Sequence, residues 1–350
     1  MSRKFLWMVI ITCAGLLFGC REWTIPRWTE IAIPETTLQP TSTITLTIED
    51  GIGPLSVARE KAAVAWSIDG INYQIGTFDI NQHSIRPSGL LISPVSGDQQ
   101  SSRDLIWSPT GKRLLYLRDD LYPWPNWIAY VTTNAFIFSA DNPRDAQRMG
   151  EGRYAQCGWS PDGQYVFCNA YCGPSSGGGG DIVDIYDAAT RSKICEYGYV
   201  GCSGIARCPP LQLTTGEIWN LPDVRKFETP TAAISEDAQA AIVQLCQRTD
   251  PPKTNLDVTV FECSDASRAS AHFVAIRLNQ GLFVADLEQW QIWKVGNKPS
   301  YHSWNWSADG RYLAWIEEGQ VRVFDTATHT TTIYIAPDAQ MLNIAWPPLR

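Results

Sequence analysis

Residues 306–315 read WSADGRYLAW, and near-copies stand at 107–116 (WSPTGKRLLY) and 159–168 (WSPDGQYVFC). A fainter fourth, ISEDAQAAIV, occupies 234–243. Each copy runs from a strand through a turn into a second strand. Pro pre-sets φ, Asp bonds to nearby backbone and Gly accepts positive φ, so the middle four residues favour a turn. The aromatic and aliphatic flanks favour strand. Strand side chains alternate, so Trp304 and Trp306 share one face, with Leu105 and Trp107, or Cys157 and Trp159, in the same places. On the returning strand Trp315 corresponds to Tyr116 and Cys168. The unit predicted is a hairpin with a buried face and an aromatic plug, and Trp306 is expected to be buried between neighbouring units. The carboxylate of Asp162 and Asp309 is Thr110 in the earliest copy. A proton-transfer group does not survive that exchange, whereas a turn position does. Trp107, Trp159, Trp306, Asp162, Gly163, Asp309 and Gly310 therefore read as structural repeat residues, with no catalytic residue among them.

The repeat extends beyond the hairpin. HSWNWS, YLAWIE, QVRVFDTAT and TTTIYIA follow one another from 302 to 336 as four short strands. HFVAIRLN, GLFVADLEQ and QIWKVG precede them in the same order. QYVFCNAY, DIVDIYDAAT and SKICEYG repeat the pattern from 164, and AAVAWSID, YQIGTFDIN and SIRPSGLLI from 62. A period of some tens of residues marks a repeat architecture, and an all-β array of four-stranded units is a β-propeller. About six blades fit the chain, with five to seven allowed.

The WSPDG hairpins, the LAY-like strand after them and the IYxxD-like strand that follows resemble the TolB-type, WD40-like propeller repeat, also found in propellers of the prolyl oligopeptidase group. The resemblance covers most of residues 60–347. It implies that the Trp-bearing strand is innermost in its blade. MLNIAW at 341–346, ending on Trp346, is then expected to supply the inner strand of the first blade and close the ring. The resemblance carries no catalytic residues, since the sequence contains no Gly-x-Ser-x-Gly elbow, and no peptidase domain is expected after the propeller.

Residues 1–19 read as a lipoprotein signal peptide. Arg3 and Lys4 form a positive start, and Phe5–Gly19 is apolar but too short to span a bilayer comfortably. The junction Leu17-Phe18-Gly19-Cys20 resembles a bacterial lipobox, which implies lipidation of Cys20. Residues 20–45, rich in Thr and Pro, read as a tether, and 46–350 as the propeller domain.

Eight cysteines lie beyond Cys20: Cys157, Cys168, Cys172, Cys195, Cys202, Cys208, Cys246 and Cys263. An even, clustered set in an exported chain suggests disulfides. Cys157 and Cys168 replace a large apolar pair of the sister hairpins, so they are either bridged or a buried thiol pair. Cys246 and Cys263 sit near the facing ends of two strands. A zinc site is disfavoured by the lack of any CxxC and of histidine in the cluster; the four histidines (83, 272, 302 and 329) are scattered. No metal or cofactor is expected.

The full chain carries 28 basic and 36 acidic residues, which argues against nucleic acid as a partner. PSSGGGGD at 174–181 lacks the ending of a phosphate loop and reads as a hairpin loop. LYPWPNW at 121–127 is a Pro-stiffened loop carrying Tyr122, Trp124 and Trp127. Such aromatics suit a sugar ring or a peptide, or they fold over their own blade. The function expected is a lipid-anchored binding module, held on the membrane at the extracytoplasmic face, with an envelope protein or glycan as partner. The rivals are a lyase- or glycosidase-type propeller enzyme acting on an extracellular polymer, and a structural member of an envelope complex.

Overall fold

The computed structural model describes residues 41–69, 72–92, 100–122, 130–149, 154–171, 181–198, 208–219, 260–265, 273–278, 281–286, 291–297 and 304–348. Contacts divide the chain into Met1–Thr37 and Leu38–Arg350, and all the described residues belong to the second unit. Among them the regular structure is entirely strand.

Short turns join consecutive apolar runs into antiparallel meanders. The first blade holds β3 (Lys61–Ser67), β4 (Tyr73–Asp79) and β5 (Ser84–Ile92). The second holds β6 (Gln100–Trp107), β7 (Arg113–Tyr122), β8 (Tyr130–Ser139) and β9 (Gln147–Met149). The third holds β10 (Tyr154–Trp159), β11 (Tyr165–Tyr171), β12 (Asp181–Asp187) and β13 (Lys193–Gly198). A two-stranded ladder, β14 (Leu211–Gln212) and β15 (Ile218–Trp219), comes next. The penultimate blade has β16 (Val260–Asp265), β17 (Phe273–Leu278), β18 (Gly281–Asp286) and β19 (Gln291–Gly296). The last has β20 (Trp304–Trp306), β21 (Tyr312–Glu317), β22 (Gln320–Asp325) and β23 (Thr330–Ile335). The faint repeat at 234–243 lies outside the described residues.

The C-terminal strand β24 (Gln340–Ala345) pairs antiparallel with β3, from Gln340 opposite Ser67 to Ala345 opposite Ala63. It is the inner strand of the first blade, as the MLNIAW segment predicts, and the ring is closed by strands from both ends of the chain. The N-terminal end adds a second closure. Strand β1 (Thr41–Thr45) pairs parallel with β23 on the outside of the last blade, and β2 (Thr47–Ile48) pairs parallel with β5 on the outside of the first. This corrects the tether boundary, because 41–45 is strand. Thr and Ile suit an edge strand, but the segment is largely exposed and its weak apolar pattern hid the pairing.

The cores lie between blades, so each second strand is buried on both faces. All six residues of β21 are buried. Tyr312, Ala314 and Ile316 pack toward the first blade with Trp66, Phe78 and Ile344, whereas Leu313 and Trp315 pack toward the penultimate blade with Phe273, Leu282 and Val284. Such strands read as continuous apolar runs rather than alternating ones. The direct cross-strand pairs Leu105–Tyr116, Cys157–Cys168 and Trp304–Trp315 occupy one repeat position in three blades.

At that position the third blade is covalently closed, with Cys157 and Cys168 disulfide-bonded at a Cα separation of 4.1 Å. A second disulfide joins Cys195 on β13 to Cys208, just before β14. Sequence spacing did not single out that pair. Cys172, Cys202 and Cys246 lie outside the described residues, and Cys263 is placed on β16 at the backbone level only. Trp306 departs from expectation. It is partly buried at the margin of its cluster, while Trp304 and Trp315 fill the centre.

Candidate functional site

The repeated turn is built by its serine. Ser160 and Ser307 are buried. Each Ser Oγ donates to the following Asp, at 2.6 Å to Asp162 and 2.7 Å to Asp309. Each also accepts the N–H of the residue that starts the next strand, Tyr165 at 2.9 Å and Tyr312 at 2.8 Å. Ser108 does the same for Arg113 at 3.1 Å, and its hydroxyl meets Thr110 Oγ1 at 3.2 Å in place of a carboxylate. Gly111, Gly163 and Gly310 hold φ of 65°, 70° and 68°, the left-handed region that favours glycine. A hydroxyl at Thr110 replacing Asp accounts for the exchange seen in sequence. These serines were not picked out by sequence reasoning, although Ser108, Ser160 and Ser307 are identical in the three clear copies.

Asp162 has a further role. Its second oxygen accepts the backbone N–H of Thr214 at 2.7 Å and the Thr214 hydroxyl at 3.1 Å, tying the β14–β15 ladder to the third blade. Burial pushes the Asp162 carboxyl up, but the bonds from Ser160, Thr214 and Gln164 outweigh it and hold the carboxyl below its usual value. Asp162→Asn would point an amide N–H₂ at the N–H of Thr214, and a cost of about 1–3 kcal/mol is expected for such an unsatisfied donor. At Asp309 the bonds from Ser307 and Arg311 both fall on Oδ1, which an amide oxygen reproduces, so Asp309→Asn should cost less than about 1 kcal/mol. Because the folded-state pKa of Asp162 is depressed, its contribution is complete above the unfolded value near pH ~4 and is lost as pH falls through the folded value. Urea titrations of both variants at pH 7 and between pH 4 and 2 check this: Asp162→Asn should lose less stability than wild type on acidification.

A second repeated turn was also missed. Asp79, Asp187 and Asp325 end the third strand of their blades and accept backbone N–H groups two residues on, from Asn81, Ala189 and Ala327. Four residues after each stands a non-glycine with positive φ: His83 at 54°, Arg191 at 61° and His329 at 54°. Two of the four histidines thus belong to blade turns, while His272 and His302 lie outside the described residues. Burial pushes Asp79 up, but the N–H of Gln82 and the Lys61 ammonium, 3.1 Å away, hold it below the usual value.

The second blade differs from its sisters. Its central hairpin has ten residues in each strand, against seven in β11 and β12 and six in β21 and β22. Among the described residues β6 pairs with β7 from Gln100 opposite Asp120, and β7 and β8 stay in register as far as Tyr122 opposite Tyr130. The extra three residues or so extend the hairpin by roughly 10 Å. Its base is polar and closed. Arg118, Thr133 and Asn134 are buried, the Arg118 guanidinium lies 5.1 Å from the Phe136 ring centre, and Thr133 donates to Asp119 at 2.5 Å. The hairpin therefore brings Tyr122 to its far end, opposite a Tyr130 that sequence reasoning did not select. Trp124 and Trp127 lie outside the described residues. No group of three or more His, Cys, Asp or Glu side chains suited to a metal occurs among the described residues.

Successive antiparallel four-stranded meanders, packed face to face and closed by the C-terminal strand, define a β-propeller. No protein family matches the sequence, and no curated protein does. Among solved structures the chain is similar to TolB from Acinetobacter baumannii, at 11% identity over 83% of this chain and 67% of that one, with a TM-score of 0.41. It is also similar to the β-propeller domain of the Trilobed protease from Pyrococcus furiosus, at 11% identity over 83% and 96%, TM-score 0.40. The C-terminal WD40 domain of Sif2 gives 10% identity over 85% and 86%, TM-score 0.38. The assignment itself rests on the strand pairing described above.

Proposed function

We propose that this chain is a lipid-anchored, extracytoplasmic propeller that binds an envelope protein or glycan through the long hairpin of its second blade. The observation that supports it is the in-register extension of β7 and β8 to Tyr122 and Tyr130, directly before and after a segment whose sequence carries Trp124 and Trp127. Aromatic side chains offer large contact area at low entropic cost. The acids of the repeated turns, Asp79, Asp162, Asp187, Asp309 and Asp325, are engaged by backbone and serine donors, which suits a scaffold role for them. The two disulfides are compatible with an extracytoplasmic location, and Cys20 in its Gly-Cys setting supplies the anchor.

Cross-linking capture from native membranes tests the binding surface. The double variant Trp124→Ala/Trp127→Ala should lose at least about tenfold of the captured partner, as expected for aromatic hot spots, with an unchanged melting temperature. Undiminished capture would remove the hairpin from the binding surface.

A further inference from the structure

Residues 41–55 run along the outer rim of three successive blades. β1 lies on β23 of the last blade, and the next amide, Leu46 N–H, donates to Ile335 at 2.7 Å. The chain then crosses to the first blade, where Thr47, Glu49 and Gly53 donate to the carbonyls of His83, Ile85 and Pro87 at 3.1, 2.8 and 3.0 Å. It reaches the second blade where Leu55 N–H donates to Ala140 at 2.9 Å. At the crossing from last blade to first, Leu46 is buried in the seam with Tyr334, Phe78 and Ile85, and Ile44 and Ile48 pack beside it. The Glu49 carboxylate pins the segment on the first blade through Ser84 at 2.8 Å and Arg86 at 2.6 Å.

The seam under this segment differs from the next two on the inner side. Between the first and second blades, Trp107 Nε1 donates to Ala345, the residue just before Trp346, at 3.1 Å. Between the second and third, Trp159 Nε1 donates to Ile106, just before Trp107, at 3.0 Å. The repeat puts the corresponding donor of the closing seam on Trp346 and its acceptor on Asn305. Trp346 Nε1 instead is buried without a hydrogen-bond partner, and its ring stacks on Tyr312 at 5.7 Å. The seam where the two ends of the fold meet thus lacks the indole bond of its neighbours and carries the outer segment across it.

We propose that residues 41–48 are a releasable strap that holds shut the seam between the last and first blades, so that a pull on the chain N-terminal to Thr41 loosens this seam while the second and third blades stay folded. β1 is outermost in its sheet and mostly exposed, so its bonds to β23 can be lost one at a time from Thr41. Once β1 has peeled away, Leu46 is the remaining apolar plug, and its departure uncovers Tyr334 and Phe78. The device needs no lipid on Cys20. With one, tension between membrane and bound partner would act along the strap.

Hydrogen exchange followed by mass spectrometry on the full chain tests this. Leu46→Asp puts a charge into the seam. Amide exchange should rise at least tenfold in β3, β23 and β24 and change less than twofold in β7–β8 and β11–β12. Glu49→Ala, a milder surface change, should raise exchange in the same first-blade and closing strands by a smaller factor. Ser42→Cys with Thr332→Cys, whose native hydroxyls are 3.0 Å apart, should lower exchange in β23 and β24 below wild type once peptide mapping confirms the new bridge. An even rise over all blades in both loosening variants, or wild-type exchange in β3 and β24 in both, would overturn the proposal.

Discussion

Trp315→Ala is expected to lower stability by about 3–5 kcal/mol, the range for deleting a buried aromatic side chain. Trp315 is fully buried, sits directly opposite Trp304, and hydrogen-bonds through Nε1 to the buried Glu317 carboxylate at 3.3 Å. The penultimate blade is fitted around it, since a Cβ on Gly296 would come within 2.9 Å of the Trp315 ring nitrogen. Removal leaves a cavity that backbone this close cannot collapse into freely, and it strips a partner from Glu317. Arg322, 3.0 Å from Glu317, keeps the carboxylate paired, which limits the loss. Trp306→Ala should cost about 1–2 kcal/mol, an ordinary single-site effect, because its side chain is only partly buried. Equilibrium denaturation of the two variants checks the contrast, and equal losses would mean that the conserved-looking first residue of the repeat is the true plug.

The double variant Cys157→Ala/Cys168→Ala is expected to lose about 3 kcal/mol, from the chain entropy released when a short loop is no longer closed and from the apolar volume removed. The two cysteines are 11 residues apart and both are buried. The bond stands where the second and last blades have Leu105–Tyr116 and Trp304–Trp315, so it substitutes a covalent link for a bulky contact. Comparing melting temperatures of wild type and variant, each with and without reductant, gives the measure. Wild type should fall on reduction, and the variant should fall less, retaining only the response of the remaining disulfides such as Cys195–Cys208.

How far the sequence could be read follows from the range of each interaction. The turn chemistry of WSPDG is local, and YLAWIE, QVRVFD and TTTIYI appear as strands β21, β22 and β23 where the residue pattern put them. Trp346 likewise identified β24 because its strand carries the repeat's own signature. The serine hydroxyl was overlooked because Ser is common in turns, and only the structure shows its side chain buried between two strands. In sequence β1 reads as tether because an edge strand exposes most of its side chains, and its partner β23 lies almost three hundred residues away, as the 290-residue separation of Ser42 and Thr332 shows. Cys195–Cys208 was not separable from the other pairings because spacing does not encode which loop folds back. At the hairpin, Tyr122 was visible in an aromatic run, whereas Tyr130 gains significance only from its register.

The mass of the mature protein, purified from membranes and analysed without reduction, tests the account most directly. An exported, anchored propeller predicts an N-terminal Cys20 carrying a diacylglyceryl thioether and a Cys157–Cys168 disulfide recovered in the peptide map. A chain that retains Met1, or begins at residue 21 or later without lipid, with Cys157 and Cys168 as free thiols, would contradict it.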